Sequence, residues 1–216
     1  MFLPKNLIMS PPSAVSEFIS RYNFGALITS DLRTTQLPFM VSEKADGTLV
    51  LTAHMAKANS QWKQFQNKDE SGHSSVDASV LFTGPHAYIS PKWYKSRPAV
   101  STWNYATVQC FGTIRLLNEE QTLSAVYALT QQFEPSLEKG SDDINALMPE
   151  EYVDKLIKAV IGFEMEVHAI EAKEKLGQQK SEEDQAAIFE SLTNSDSFDA
   201  RALAAYMLSR NIGTGS

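Results

Sequence analysis

A chain of 216 residues, 43% hydrophobic and 21% charged, can bury a sizeable core without help from a metal or a disulfide. Its one cysteine, Cys110, excludes an intramolecular disulfide and a thiolate zinc site, and a net charge of -7 repels polyanions, so any nucleic-acid contact has to be local. No apolar run approaches the roughly 18 residues of a membrane helix, and the N-terminal segment lacks a signal-like apolar stretch, so a cytoplasmic setting is expected.

In "SPPSAVSEFISRY", Ser10 stands as a candidate N-cap, proline opens the first turn, and Val15, Phe18 and Ile19 recur at helical spacing, which predicts a short amphipathic helix. "GALITS" and "TQLPFMV" read as strands, and Asp46-Gly47 marks a hairpin turn into a third strand ending in "LTAHM". Ala58, Trp62 and Phe65 then predict a short helix opening directly off that strand, and "ESGHSS" predicts a polar loop. "VDASVLFTG" alternates into a turn expected at Gly84-Pro85. "AYIS" and the long "VSTWNYATVQCFGTIRLL" bring the count to about six strands with no crossover helices, the pattern of a barrel.

Beyond residue 118 the pattern turns helical. "NEEQTLSAVYALTQQF" has Asn118 as a cap and acids in its first turn, and "MPEEYVDKLIKAV" has proline at its start. "IGFEMEVHAIEAK" alternates Ile161, Phe163, Met165 and Val167 against Gly162, Glu164, Glu166 and His168, a half-buried strand that rejoins the barrel. Two acidic helices, "SEEDQAAIFESL" and "SFDARALAAYMLSR", close the chain. The expected fold is mainly β within α+β: a small antiparallel barrel with peripheral helices over residues 1–178 and a helical tail over 179–216.

The four histidines, at 54, 73, 86 and 168, show no metal-ligand spacing. Neither G-x-S-x-G nor a glycine-rich phosphate loop occurs, and Cys110 alternates within a strand as a packing thiol does, so no nucleophile is visible. The junction "LTAHMAKAN" hands Thr52, His54, Lys57 and Asn59 to a predicted helix start, a candidate phosphate site, although one lysine opening a surface helix is more often simply solvated. The stretch "GPHAYISPKWYKSRPAVSTWNYATV" holds three Tyr, two Trp, two Lys and one Arg. Such a mixture suits a ligand with an anionic end and a flat heterocycle. The same rings could equally plug the barrel mouth or fill a dimer seam.

"LTAHMAKANSQWK", "VLFTGPHAYISPKWY" and "STWNYATV" resemble successive motifs of the PaiB-type FMN-binding negative transcriptional regulators, and "MFLPKNLIMS" and "IGFEMEV" resemble that family's ends. The resemblance covers about residues 1 to 192. It implies a flavin-binding split β-barrel that forms a homodimer with FMN at the subunit interface. More distantly, "LTAHMAKA" is similar to the pyridoxamine 5′-phosphate oxidase group, whose matching lysine contacts the flavin phosphate. Carried over, Lys57 would neutralise that phosphate, helped by Thr52, His54 and the amides near Ala58 and Asn59. Trp103, Asn104 and Tyr105 would border the ring or ribityl chain, and Tyr88, Ser90, Trp93 and Tyr94 would shape the neighbouring wall. Trp62 reads as a core anchor rather than a ligand contact. The chain departs from the family pattern at Gln36, where histidine is usual, and at Glu174, where an aromatic ring is usual; facing a flavin, Glu174 would subtract stacking area and repel phosphate.

The resemblance implies a regulator whose dimer surface, altered by flavin, is read by DNA or a protein partner. A flavin-dependent oxidoreductase and a ligand-free interaction module are the alternatives. The acidic tail supplies no basic recognition helix, so direct DNA contact would fall to Lys92, Lys95 and Arg97.

Overall fold

A computed structural model describes residues 1–66, 76–137 and 140–215. Seven strands, β1 (Phe24–Thr29), β2 (Thr34–Pro38), β3 (Met40–Glu43), β4 (Leu49–Ala56), β5 (Val76–Ile89), β6 (Thr102–Leu116) and β7 (Val160–Lys175), form one sheet in the order β2-β1-β5-β6-β7-β4-β3. β1 pairs antiparallel with β2 and β5, and β4 with β3 and β7. The helices are α1 (Ser13–Arg21), α2 (Glu119–Phe133), α3 (Asp142–Leu147), α4 (Glu150–Ala159), α5 (Glu182–Thr193) and α6 (Phe198–Arg210), with 3-10 turns at Lys5–Leu7 and Ser60–Gln66. This is the antiparallel split β-barrel with peripheral helices that the sequence leads one to expect. Its residues fall into two compact units, the first built from 1–15, 83–108 and 171–216, the second from 16–82 and 109–170.

The second unit is centred on phenylalanines. Phe39 meets Phe82 and Phe163 edge-on at 5.6 and 6.2 Å, and Phe65 lies 5.3 Å from Phe163. All four rings are fully buried, each contributing about 1.5–3 kcal/mol by its removal from water. "TQLPFMV" is not one strand because the chain changes partner at Phe39: its amide still bonds the Asn23 carbonyl at 2.8 Å, in register with the β1–β2 ladder, while from Met40 onward the chain pairs with β4. The expected hairpin turn at Asp46-Gly47 is present, with Gly47 at φ +86°. α2 begins with a capping box, Asn118 accepting from the Gln121 amide while the Gln121 side chain accepts from the Asn118 amide. It docks where Gly162 leaves room for Thr122, whose hydroxyl accepts from the Gly162 amide at 3.2 Å. Cys110 is wholly buried, and burial pushes its thiol up to about 12, as expected of a packing residue.

The first unit contains the ends of β5, β6 and β7 with α5 and α6, over a core that includes Ile89, Ala106, Leu176, Ile188, Leu203 and Met207. Glu174 is here, only 1% exposed. It accepts from the Tyr206 hydroxyl at 2.5 Å and from Arg210 Nε and Nη2 at 2.7 and 3.2 Å, and Arg210 also donates to the Ser10 carbonyl at 2.5 Å. This acid therefore fastens α6 to β7 instead of facing a flavin.

Three expectations change in detail. β5 runs unbroken through Gly84-Pro85, where Pro85 and His86 both face outward and shift the inside-outside alternation by one residue, as a bulge does. α1 starts at Ser13, with the amides of Ala14 and Val15 bonded to the carbonyls of Pro11 and Pro12, so Ser10 is not its cap. The helix expected after β4 is a 3-10 segment of seven residues that begins only at Ser60. The expected polar loop "ESGHSS", with His73, lies outside the described residues.

Candidate functional site

Thr52, His54, Lys57, Ala58 and Asn59 belong to the second unit. Alternation along β4 turns Thr52 and His54 outward between the buried Leu51, Ala53 and Met55. Thr52 lines a cleft of about 490 Å³ with Asn118, Gln121 and Ser124, but also with Glu120 and Glu164, so its surroundings are acidic. Burial lowers the His54 imidazole below its ordinary value, which leaves it neutral at pH 7 and able to orient a ligand without attracting an anion.

Lys57 is half-buried, and among the described residues its ammonium makes one long bond, to the Ile157 carbonyl at 3.4 Å. Its backbone is fixed by the Ala159 carbonyl, which accepts its amide at 2.8 Å, and by the Trp62 indole, which donates to its carbonyl at 2.9 Å. The side chain is thus held at its root and loosely committed at its tip, as suits a ligand cation. No helix N-terminus assists it: Asn59 donates its amide to the Ala56 carbonyl at 2.9 Å. The Asn59 side chain is also taken up, donating to Thr35 Oγ1 at 2.9 Å and accepting from the Gln61 amide at 3.0 Å. Buried Gln61 completes that network through Thr29 and the Arg33 carbonyl, so Asn59 serves the β1–β2 hairpin. Ala58 is exposed.

Tyr88, Ser90, Trp93, Tyr94, Trp103, Asn104 and Tyr105 belong to the first unit. Trp103 is 53% exposed, with His86 6.0 Å away on one side and Tyr88 6.3 Å away, nearly perpendicular, on another. Tyr105 is half-buried beside the Lys173 ammonium, 5.4 Å from the ring centre. These residues form an outward aromatic face. Asn104 points inward: it is 2% exposed, its Nδ2 has no acceptor among the described residues, and a Cβ added at Gly177 would stand 3.4 Å from that nitrogen. Tyr94 is buried under the Lys180 ammonium at 5.2 Å and packs rather than lines, while Ser90 steadies the loop by accepting from the Lys92 amide at 3.2 Å. Trp93 is half-buried in that loop.

Sequence reading missed the cations of this face. Lys173 is 7% exposed and donates to the Phe2 carbonyl at 2.9 Å, while Lys175 donates to Thr102 Oγ1 at 2.5 Å and the Trp103 carbonyl at 2.9 Å. Their i, i+2 spacing on β7 was the available signal, since it places both on one side of the strand.

Asp184 was also missed. It is buried in the first turn of α5, and its carboxylate accepts from the amides of Lys95 and Ser96 at 2.7 and 3.0 Å and from the Ser96 hydroxyl at 2.5 Å. These bonds, those from Ser96 foremost, hold its pKa below the ordinary carboxylate range despite burial. A depressed acid stabilises the fold above its unfolded pKa and loses that contribution as pH falls through its folded one. The stability gap between wild type and Asp184→Asn is therefore expected to stay constant from pH 7 to the usual carboxylate range and to close only below it, as read by urea midpoints. At pH 8, where the ionised acid is intact in wild type, trypsin is expected to cut Lys95-Ser96 several-fold faster in the variant.

Each unit by itself carries features that suit a planar ligand with anionic character. In the second, the Lys57 ammonium is half-buried with one long bond recorded to a carbonyl; in the first, Trp103 offers an exposed ring and neither Lys173 nor Lys175 has a carboxylate partner among the described residues. Within the second unit Glu120 and Glu164 oppose phosphate beside Thr52. No His, Cys, Asp or Glu cluster able to hold a metal occurs among the described residues, and no helix among them is long and apolar enough to cross a membrane.

Comparison with known proteins accords with this geometry. The family described as "Putative FMN-binding domain" matches residues 1–169. The chain is 30% identical over 214 residues to the "Protease synthase and sporulation protein PAI 2" of Bacillus subtilis (strain 168), covering 96% of each chain. Among solved structures, the FAD and heme binding protein of Mycobacterium smegmatis is similar at 15% identity with a TM-score of 0.51, over 83% of this chain and 78% of the other. The flavocytochrome Anf3 of Azotobacter vinelandii is similar at 16% identity with a TM-score of 0.51, over 85% and 78%. At such identities these two structures speak for the fold alone. The match over residues 1–169 places this chain in the FMN-binding family that its motifs resemble, with FMN as its cofactor.

Proposed function

We propose that this chain works as a homodimer that holds FMN at the subunit interface and that its physiological role is regulatory. The observation that carries the reading is the aromatic face of the first unit, where an exposed indole adjoins two ammonium groups that no described carboxylate neutralises. Within the second unit Lys57 is the proposed phosphate cation and His54 a neutral orienting group; within the first, Trp103, Tyr105 and Tyr88 are the residues proposed to meet a ring system. Asn104 would offer its unpartnered amide from beneath. When bound, FMN supplies electron or hydride transfer, and the protein's share is binding, orientation and exclusion of water.

Regulation by direct helix docking on DNA has little support, because α5 opens with Glu182, Glu183 and Asp184. Arg97 is folded back on the carbonyls of Tyr94 and Ser96, which leaves exposed Lys92 and Lys95 for any polyanion. The proposed readout is therefore a partner protein or weak, salt-sensitive DNA contact. A second reading, a flavin-dependent oxidoreductase, requires no DNA contact, which the acidity of α5 disfavours.

Freshly purified protein is expected to take up one FMN per chain with a visible absorption band, and light scattering is expected to give twice the chain mass. Absence of flavin uptake in equilibrium dialysis rejects the cofactor assignment, and a monomer with flavin bound rejects the interface. Loaded protein oxidising NADH or NADPH no faster than free FMN removes the oxidoreductase reading and leaves the regulator.

A further inference from the structure

Lys173 is unusual among the cations of this chain. An ammonium carries three donors, and burial is costly unless they are used. Lys173 is 7% exposed, yet among the described residues its ammonium has one hydrogen bond, to the Phe2 carbonyl, and otherwise faces the rings of Tyr105 at 5.4 Å and Phe2 at 5.7 Å. Lys175, two positions along the same strand, spends its protons on a hydroxyl and a carbonyl. Glu174, next to Lys173 on β7, is taken by Tyr206 and Arg210, and Glu171, two positions before Lys173, is paired with the Met1 amine. Two positive charges thus stand together without a carboxylate in a chain of net charge -7, beside an indole that is 53% exposed.

Phe2 indicates what this place accepts. It is 83% exposed, so packing holds it weakly, and what it offers Lys173 is a flat ring and a carbonyl oxygen. Those are the groups that the dione edge of an isoalloxazine ring carries.

We propose that Lys173, backed by Lys175, recognises the carbonyl edge of the flavin ring, and that Phe2 is a built-in stand-in which the flavin displaces. This rests on FMN being the ligand and adds to it a ring-recognising cation separate from the proposed phosphate cation, Lys57. Charge-assisted bonds of this kind are strong enough to move affinity by a factor of ten or more.

The test compares FMN with riboflavin, which lacks the phosphate, by quenching of flavin fluorescence on wild type, Lys173→Met, Lys173→Arg and Phe2→Ala. Thermal melts check that each variant folds. Lys173→Met is expected to weaken both ligands about tenfold and alike, because the lost partner is the ring. Lys173→Arg keeps the charge and is expected to restore most of the affinity, which a purely structural role would not require. Phe2→Ala removes the competing ring and is expected to tighten both ligands a few-fold. Weakening of FMN alone makes Lys173 a phosphate ligand and overturns the proposal; so does wild-type affinity of Lys173→Met for both ligands, with FMN binding itself left standing. If wild type binds neither flavin, the cofactor reading and this proposal fall together.

Discussion

Glu174→Ala is expected to lower folding stability by about 3–5 kcal/mol, because removing one partner of a buried ion pair leaves the other charge without compensation. Arg210 would lose its carboxylate while keeping the Ser10 carbonyl, and the buried Tyr206 hydroxyl would lose Glu174 as its acceptor at 2.5 Å. Glu174→Gln retains an acceptor for Tyr206 but not the charge, so its loss should fall between wild type and alanine. Urea denaturation of the three proteins decides the matter. A cost below about 1 kcal/mol for alanine would mean that the pair contributes no more than an exposed surface bridge. Because Arg210 joins α6 to both Glu174 and the Ser10 carbonyl, the variant is also expected to loosen the C-terminal helix before the rest of the first unit, visible as earlier hydrogen exchange along Phe198–Arg210.

Gly112→Ala is expected to cost about 3 kcal/mol or to prevent folding. A Cβ at that position would lie 2.1 Å from the Glu166 carbonyl oxygen and 2.8 Å from its carbon, with Met165 Cγ at 3.0 Å. The first two obstacles are backbone of β7, which cannot swing aside as a side-chain tip can, so β6 and β7 would have to separate. Gly140 is the contrast within the same unit, since a Cβ there meets nothing within 4 Å and the only penalty of alanine would come from its φ of +85°. Thermal melts of both variants should rank Gly112→Ala far below Gly140→Ala, and an equal ranking would show that the β6–β7 approach is softer than these distances imply.

Much of the fold was legible because local signals agreed with tertiary demands. The alternation of Ile161, Phe163, Met165 and Val167 located β7, Asn118 with the acids that follow it located the start of α2, and Asp46-Gly47 located the β3–β4 turn. The signals misled where a single residue answered to a distant neighbour. At Phe39 the chain changes partner from β1 to β4, and Pro85 is tolerated within β5 because the alternation slips there. α3, with its Ser141 cap, is six residues long, too few to display a period in the sequence. The candidate site was half legible. Rare ring-rich motifs marked the aromatic face and the family, and one lysine off a strand end marked Lys57. The roles of Glu174, Lys173 and Asp184 were not accessible, since their partners Arg210, Phe2 and Ser96 lie 36, 171 and 88 residues away. No periodicity reports contacts at that range.

The burial of Cys110 has a practical corollary. A maleimide dye added to the native chain should find no thiolate, so one cysteine engineered at an open position such as Phe198 or Leu147 would carry the label alone. Energy transfer between two such labels on separate chains would then report self-association directly, without first deleting the natural sulfur.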